Sequence, residues 1–250
     1  MAKRYCIVLG IVLILFSACA THKPSAEAAP EAKNFDLALS QGDFYLKQSD
    51  YPKAIEEFKK AIILRPDSAR AYNLLGMAYF LQKNYNLAEE NFEKAISLDT
   101  SYAQAYNNLG NTYFVKRQFD KAKELFKKAL SLVPDLISAN YSLGTLLVYE
   151  GNFEEGTVYL SRGIELDPEY LEKHKTFVAS ISSPVFGSSE IYFTYAKLFA
   201  TAGNVEKTLE YLKKAKEAGF RDWERVMEEK EFDKVRDDPR IKEFLSLFPS

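Results

Sequence analysis

Bulky, small and polar positions recur along this chain with a period of 34 residues. Gly42, Gly76, Gly110 and Gly144 stand one period apart, and their neighbours recur in step. Three positions after each glycine are Tyr45, Tyr79, Tyr113 and Leu147; nine after it are Tyr51, Tyr85, Phe119 and Phe153. Small residues follow in two columns, Ala54, Ala88, Ala122 and Gly156, then Ala61, Ala95, Ala129 and Gly163. Between them runs a bulky column of Phe58, Phe92, Phe126 and Leu160. Within residues 54–64, Ala54, Ile55, Phe58, Ala61 and Ile62 keep the three-and-four spacing of an amphipathic helix. Pro66, Pro134 and Pro168 mark helix ends, because proline has no N–H and restrains the residue before it; Thr100 holds that column in the second unit. The pattern predicts two antiparallel helices per unit, large residues of one set against small residues of the other.

A glycine inside a helix costs about 1 kcal/mol relative to alanine, so a close helix contact is predicted at each. One two-helix unit cannot bury its apolar face alone, so neighbouring units must stack to make the core. By the same measure Gly156 and Gly163, which replace alanines, make the fourth unit the expected weak joint.

Asn73-Leu74-Leu75-Gly76-Met77-Ala78-Tyr79 and Asn107-Asn108-Leu109-Gly110-Asn111-Thr112-Tyr113, each followed by its Ala–Phe–Ala column, resemble the tetratricopeptide repeat. The resemblance implies an all-α fold, a right-handed superhelical α-solenoid of helix-turn-helix units at 35–68, 69–102, 103–136 and 137–170. It also implies that the first helices line a concave groove that binds protein or peptide partners. The columns on that face supply Asn73, Met77, Phe80, Asn107, Asn111, Phe114, Tyr141 and Tyr149 as the expected partner-binding groove. Amides can bond an extended peptide backbone while rings cover its side chains. Some relatives grip C-terminal carboxylates with clustered basic groups, but here Lys47 is the only basic residue in those columns.

Beyond Pro168 the period fails. Residues 171–189 read as an irregular connector, and 190–220 as a degenerate fifth hairpin turning at Gly203-Asn204, with Gly219 suited to its C-cap. Residues 221–250, with Trp223, Phe232 and Phe244, resemble the terminal segment of bacterial proteins of this family and read as capping helices. The array needs such a polar-backed lid. Asp238 before Pro239 predicts an N-cap and first helical residue.

At the other end, Lys3 and Arg4 precede an apolar run from Tyr5 to Phe16, then Ser17-Ala18-Cys19. That order is a secretory signal, the run being too short to span a bilayer, which takes about 20 apolar residues. Phe16-Ser17-Ala18-Cys19 resembles the lipobox of bacterial lipoproteins, which implies a signal peptide at 1–18 and lipidation of Cys19. Acyl chains hold a membrane at about 0.8 kcal/mol per buried CH₂. Ala20 in place of aspartate favours, by the same resemblance, the outer membrane facing the periplasm of a Gram-negative envelope. Residues 19–34, polar and small with Pro24 and Pro30, read as a flexible tether.

Loss of Lys3 and Arg4 leaves 31 basic against 35 acidic residues, a formal charge of −4, which gives nucleic-acid binding no support. His22 and His174 are the only histidines, and no second ligand stands near either at metal-site spacing. There is no nucleophile elbow, phosphate loop or dinucleotide fingerprint, so no catalysis, metal or small-molecule cofactor is expected. The expected function is a lipid-anchored scaffold or adaptor for protein–protein interactions in the bacterial cell envelope, such as assembly of pilus, secretin or peptidoglycan machinery. The alternative is a non-catalytic glycan- or peptidoglycan-binding protein, since rings and amides also suit sugars.

Overall fold

The computed structural model describes residues 28–173 and 189–248. Four hairpins follow the 34-residue period: α1 (Ala28–Lys47) with α2 (Tyr51–Leu64), α3 (Ala69–Leu81) with α4 (Tyr85–Leu98), α5 (Ala103–Val115) with α6 (Phe119–Leu132), and α7 (Ile137–Tyr149) with α8 (Phe153–Leu166). A short α9 (Tyr170–Lys173) follows, then a fifth hairpin of α10 (Ser189–Thr201) and α11 (Val205–Glu217). The chain closes with α12 (Glu224–Glu228), a 3-10 turn (Lys230–Phe232) and α13 (Pro239–Leu245). The described residues are all-helical, and among them no helix is long and apolar enough to cross a membrane.

The repeating columns account for the packing. A Cβ on Gly76 would lie 2.7 Å from the Phe92 ring, and one on Gly110 2.5 Å from the Phe126 ring. Both distances are well inside ordinary carbon contact of about 3.5 Å. The bulky column Phe58, Phe92, Phe126 and Leu160 is fully buried, as are Ala54, Ala88 and Ala122 beside it. Three second helices stop before a proline, α2 at Leu64 before Pro66, α6 at Leu132 before Pro134 and α8 at Leu166 before Pro168, while α4 stops at Leu98 before Thr100. Within each unit the two helices join through one left-handed residue: Ser49, Lys83, Arg117 and then Gly151.

Two readings are revised. Helix α1 begins at Ala28, seven residues inside the stretch 19–34 expected as tether. Alanines favour the helix there, and Pro30 falls in the first turn, where no N–H is needed. Gly156 and Gly163 also prove to be more than weak points. A Cβ on Gly156 would stand 2.9 Å from the Gly144 carbonyl and 2.7 Å from Val148, and one on Gly163 3.0 Å from the Tyr141 ring. Gly156 is therefore required by close backbone contact, and a side chain at Gly163 would press on the Tyr141 ring. The fifth hairpin, although out of period, packs α10 against α7 and α8 and shares one core with the fourth unit.

The C-terminal segment forms the lid. Trp223, Phe232, Ile241 and Phe244 are buried, Trp223 edge-on to Phe220 and Phe244. Arg225 lies 4.4 Å over the Phe193 ring and pairs with Glu190 and Glu229, tying the lid to α10. Asp238 accepts from the Arg240 N–H at 2.9 Å with Pro239 opening α13, and Gly219 ends α11 at φ +94°. The signal at 1–18, Cys19, His22, His174 and nearly all of the connector 171–189 lie outside the described residues.

Candidate functional site

Helices α3, α5, α7 and α10 lie side by side, so the first helices of successive units make one continuous face. Across it runs a ladder of amides and hydroxyls. Asn73 donates to the Tyr102 hydroxyl at 3.4 Å and accepts from Asn108 Nδ2 at 2.9 Å. Asn108 in turn accepts from Gln104 Nε2 at 3.0 Å, and the Ser138 hydroxyl donates to Gln104 Oε1 at 3.2 Å. The ladder thus links the second, third and fourth units. A separate rung joins the Ser142 hydroxyl to Asn111 Oδ1 at 3.1 Å.

Two of the expected groove residues carry unsatisfied polar atoms. Neither polar atom of Asn107, which is fully buried, has a hydrogen-bond partner, and the same holds for Asn111 Nδ2. A buried polar group without a partner costs about 1–3 kcal/mol. Native proteins keep few such groups. Asn73, Asn107 and Asn111 are themselves buried on the first helices α3 and α5, and Met77 is half-buried.

The aromatic part of the expected groove is corrected. Phe80 is buried with its ring edge-on to Tyr85, and Phe114 is buried against Phe119 and Tyr149. Tyr149 itself is half-buried, 5.1 Å from the Phe119 ring. Tyr141 stacks on Tyr170 at 5.1 Å and donates to the Asp167 carbonyl at 3.2 Å. Burial raises the phenols of Tyr141 and Tyr102 above their usual range, and that of Tyr170 to about 12. These rings serve the joints between helices, because burying a large ring gains more there than exposure on a groove wall.

Sequence reading missed Gln104, Asn108, Ser138 and Ser142. Their columns change chemistry from unit to unit, Arg70–Gln104–Ser138 and Leu74–Asn108–Ser142, so no repeated residue type marked them. The signal was polarity returning at one period in the third and fourth units. At the first unit the face opens into a cleft of about 550 Å³ flanked by Asp36, Asp43, Lys47 and Arg70. Burial lifts the Asp43 carboxyl, and Arg70 and Lys47 oppose that shift without cancelling it. Two acids face two bases, so the cleft carries no strong sign of charge.

Comparisons with known proteins agree with this architecture. Family models described as TPR repeat and tetratricopeptide repeat match residues 42–83, 69–102, 103–136 and 137–170. A comparison with curated proteins gives no match. Among solved structures, one described as a functional characterization of Pseudomonas aeruginosa pilF is 16% identical, with a TM-score of 0.52, covering 87% of this chain and 99% of that one. A Thermobaculum terrenum O-GlcNAc transferase mutant is 23% identical with a TM-score of 0.50, over 54% of this chain and 26% of that one. MamA is 24% identical with a TM-score of 0.46, over 71% and 93%. At these identities the likeness is one of fold.

Proposed function

Because residues 42–170 belong to the tetratricopeptide repeat family, in general a non-catalytic protein-binding scaffold, we propose that this chain is a lipid-anchored adaptor of the bacterial cell envelope. It holds an extended segment of a protein partner along the first-helix face while acyl chains on Cys19 keep it at the membrane, the outer membrane in a Gram-negative cell. The observation that supports the binding site is the set of amide atoms without partners, both polar atoms of Asn107 and Nδ2 of Asn111, whose Oδ1 accepts from Ser142, beside a ladder whose other members are paired. An extended backbone offers the alternating N–H and C=O groups that such amides lack. The anchor rests on the lipobox resemblance of Phe16-Ser17-Ala18-Cys19.

Each half has its own test. A photo-crosslinker at Met77 in the full chain, irradiated in native envelopes, captures a protein, and Asn107→Ala with Asn111→Ala abolishes that capture. Capture unchanged by the double substitution would remove these amides from the site, and capture of muropeptide alone would make the chain a glycan binder. Cys19→Ser eliminates incorporation of labelled fatty acid; a labelled, membrane-bound Cys19→Ser product refutes the anchor.

A further inference from the structure

The first helices of the middle units are almost free of charge. Helices α3, α5 and α7, of 13 residues each, carry a single charged side chain between them, Arg70 in the first turn of α3. Their partner helices are rich in charge, α4 holding Glu89, Glu90, Glu93 and Lys94, and α6 holding Lys121, Lys123, Lys127 and Lys128 with Asp120 and Glu124. Burial does not account for the difference. Met77 and Thr145, one position past their glycines, and Leu81, Val115 and Tyr149, five past theirs, are half-buried and uncharged, whereas half-buried positions of the second helices hold Glu89 and Lys123.

Along this face charge returns at the two ends. Asp36, Asp43, Lys47 and Arg70 meet around the cleft of the first unit, and at the fifth hairpin Glu190 and Lys197 of α10 are held by Arg225 and Glu229 of the lid. Between the ends the polar groups are neutral dipoles. Asn73, Gln104, Asn108 and Ser138 bond one another, while both polar atoms of Asn107 and Nδ2 of Asn111 have no partner. Neutral dipoles can answer peptide N–H and C=O groups, amides and hydroxyls, but they supply no counter-ion for a charge pressed against them. A charge buried without a counter-ion is among the least favourable contacts a protein makes. Packed helices lie about 8–10 Å apart, so α3 to α7 spans roughly 20 Å, which an extended chain at about 3.3 Å per residue crosses in about six residues.

Taking the first-helix face as the binding surface proposed above, we infer that its partner is an uncharged segment: about six consecutive residues without Asp, Glu, Lys or Arg, extended across α3, α5 and α7. Glycine, serine, threonine, asparagine, glutamine and small apolar residues suit it; acidic tails and basic peptides do not. The test uses the full chain in native envelopes with the photo-crosslinker at Met77, and the captured segment is identified by mass spectrometry. From the crosslinked residue the segment should run uncharged for about six residues in at least one direction. Val115→Lys and Val115→Glu should each lower capture by at least about tenfold, because either sign would be buried under the segment, whereas Val115→Met should not. Charged residues within about six positions of the crosslink on both sides overturn the inference and leave the binding surface in place. So does undiminished capture by either charged variant with an unchanged thermal midpoint, and greater capture by Val115→Lys would mark an acidic partner instead. Where a charged variant fails to fold, the sequence of the captured segment decides. Absence of any capture removes the binding surface, and this inference with it.

Discussion

The glycine of the third unit offers the sharpest test of how this array is held together. A methyl group on Gly110 would sit 2.5 and 2.7 Å from two carbons of the Phe126 ring and 3.3 Å from the Ala122 carbonyl. The ring is fully buried and cannot swing into water. Gly110→Ala gains about 1 kcal/mol of helix propensity. Overpacking of this kind costs about 1–3 kcal/mol, and an overlap approaching 1 Å belongs at the upper end. The net expectation is a loss of about 2 kcal/mol. Phe126→Leu alone should cost about 1–2 kcal/mol for the space left by the ring. In the double substitution that space receives the new methyl group, so the strain vanishes and the propensity gain remains. Its total loss should be smaller than that of Gly110→Ala alone, a coupling of about 2–3 kcal/mol in the sense of rescue. Urea titrations followed by far-ultraviolet circular dichroism measure all four corners, with constant slope confirming that the unfolding units are unchanged. Additivity within about 0.5 kcal/mol would refute the reasoning and place the glycine's role elsewhere. The fourth unit supplies the contrast: a methyl on Gly144 meets the Gly156 carbonyl at 2.9 Å and the Leu160 nitrogen at 2.9 Å. Those are backbone atoms, and no trimming of Leu160 should rescue Gly144→Ala.

Three further outcomes are expected. Asn107→Leu, which replaces an unpaired buried amide by an apolar group of similar size, should raise the thermal midpoint, whereas Asn108→Leu, which breaks bonds to Asn73 and Gln104, should lower it; equal losses would mean that Asn107 is paired. Burial pushes the Glu89 carboxyl up, but hydrogen bonds from Lys116 and Tyr113 outweigh it and hold the folded pKa below the ordinary 4.5. Its contribution to stability is therefore complete above about pH 4.5 and lost as pH falls through the lowered folded value, and Glu89→Gln should flatten that part of the stability–pH curve; an unchanged curve would contradict this. Lys83→Gly relieves a left-handed residue at φ +66° in the turn between α3 and α4 and should stabilise by about 1 kcal/mol in urea titration, against a loss if the turn were indifferent to φ.

How far the sequence could be read followed the strength of the physical constraint at each position. Gly76 against Phe92 and Gly110 against Phe126 repeat because one geometry repeats, and such contacts admit few residue types. Asn107 and Asn111 stood out in the sequence for the opposite reason, being polar where a core would not want them. Phe80 and Phe114 were misread because an aromatic ring on a first helix has the same spacing whether it faces a groove or the neighbouring ring of Tyr85 or Phe119. The start of α1 at Ala28 was hidden because alanine, proline and charge describe a tether and a first helical turn equally well.

The departures of the fourth unit from its columns, and the failure of the period after it, have a common cause in packing. Gly156 against the Gly144 carbonyl lets α7 and α8 approach without a side chain between them, and Gly163 makes room for the Tyr141 ring. That ring then lies between Tyr170 at 5.1 Å and Tyr195 of α10 at 6.4 Å. Thr145 of α7 meets the Tyr195 hydroxyl at 2.9 Å, where the third unit has Asn111 bonded to Ser142. The fourth unit is thus shaped on its far side to receive a hairpin that arrives out of register and carries tyrosine at the joint. A strict 34-residue successor, with alanine where α3 and α5 have Ala71 and Ala105, would leave that tyrosine stack uncovered. Two helical glycines that look like defects in a single column are, in the packed array, the condition for ending the repeat and seating the lid.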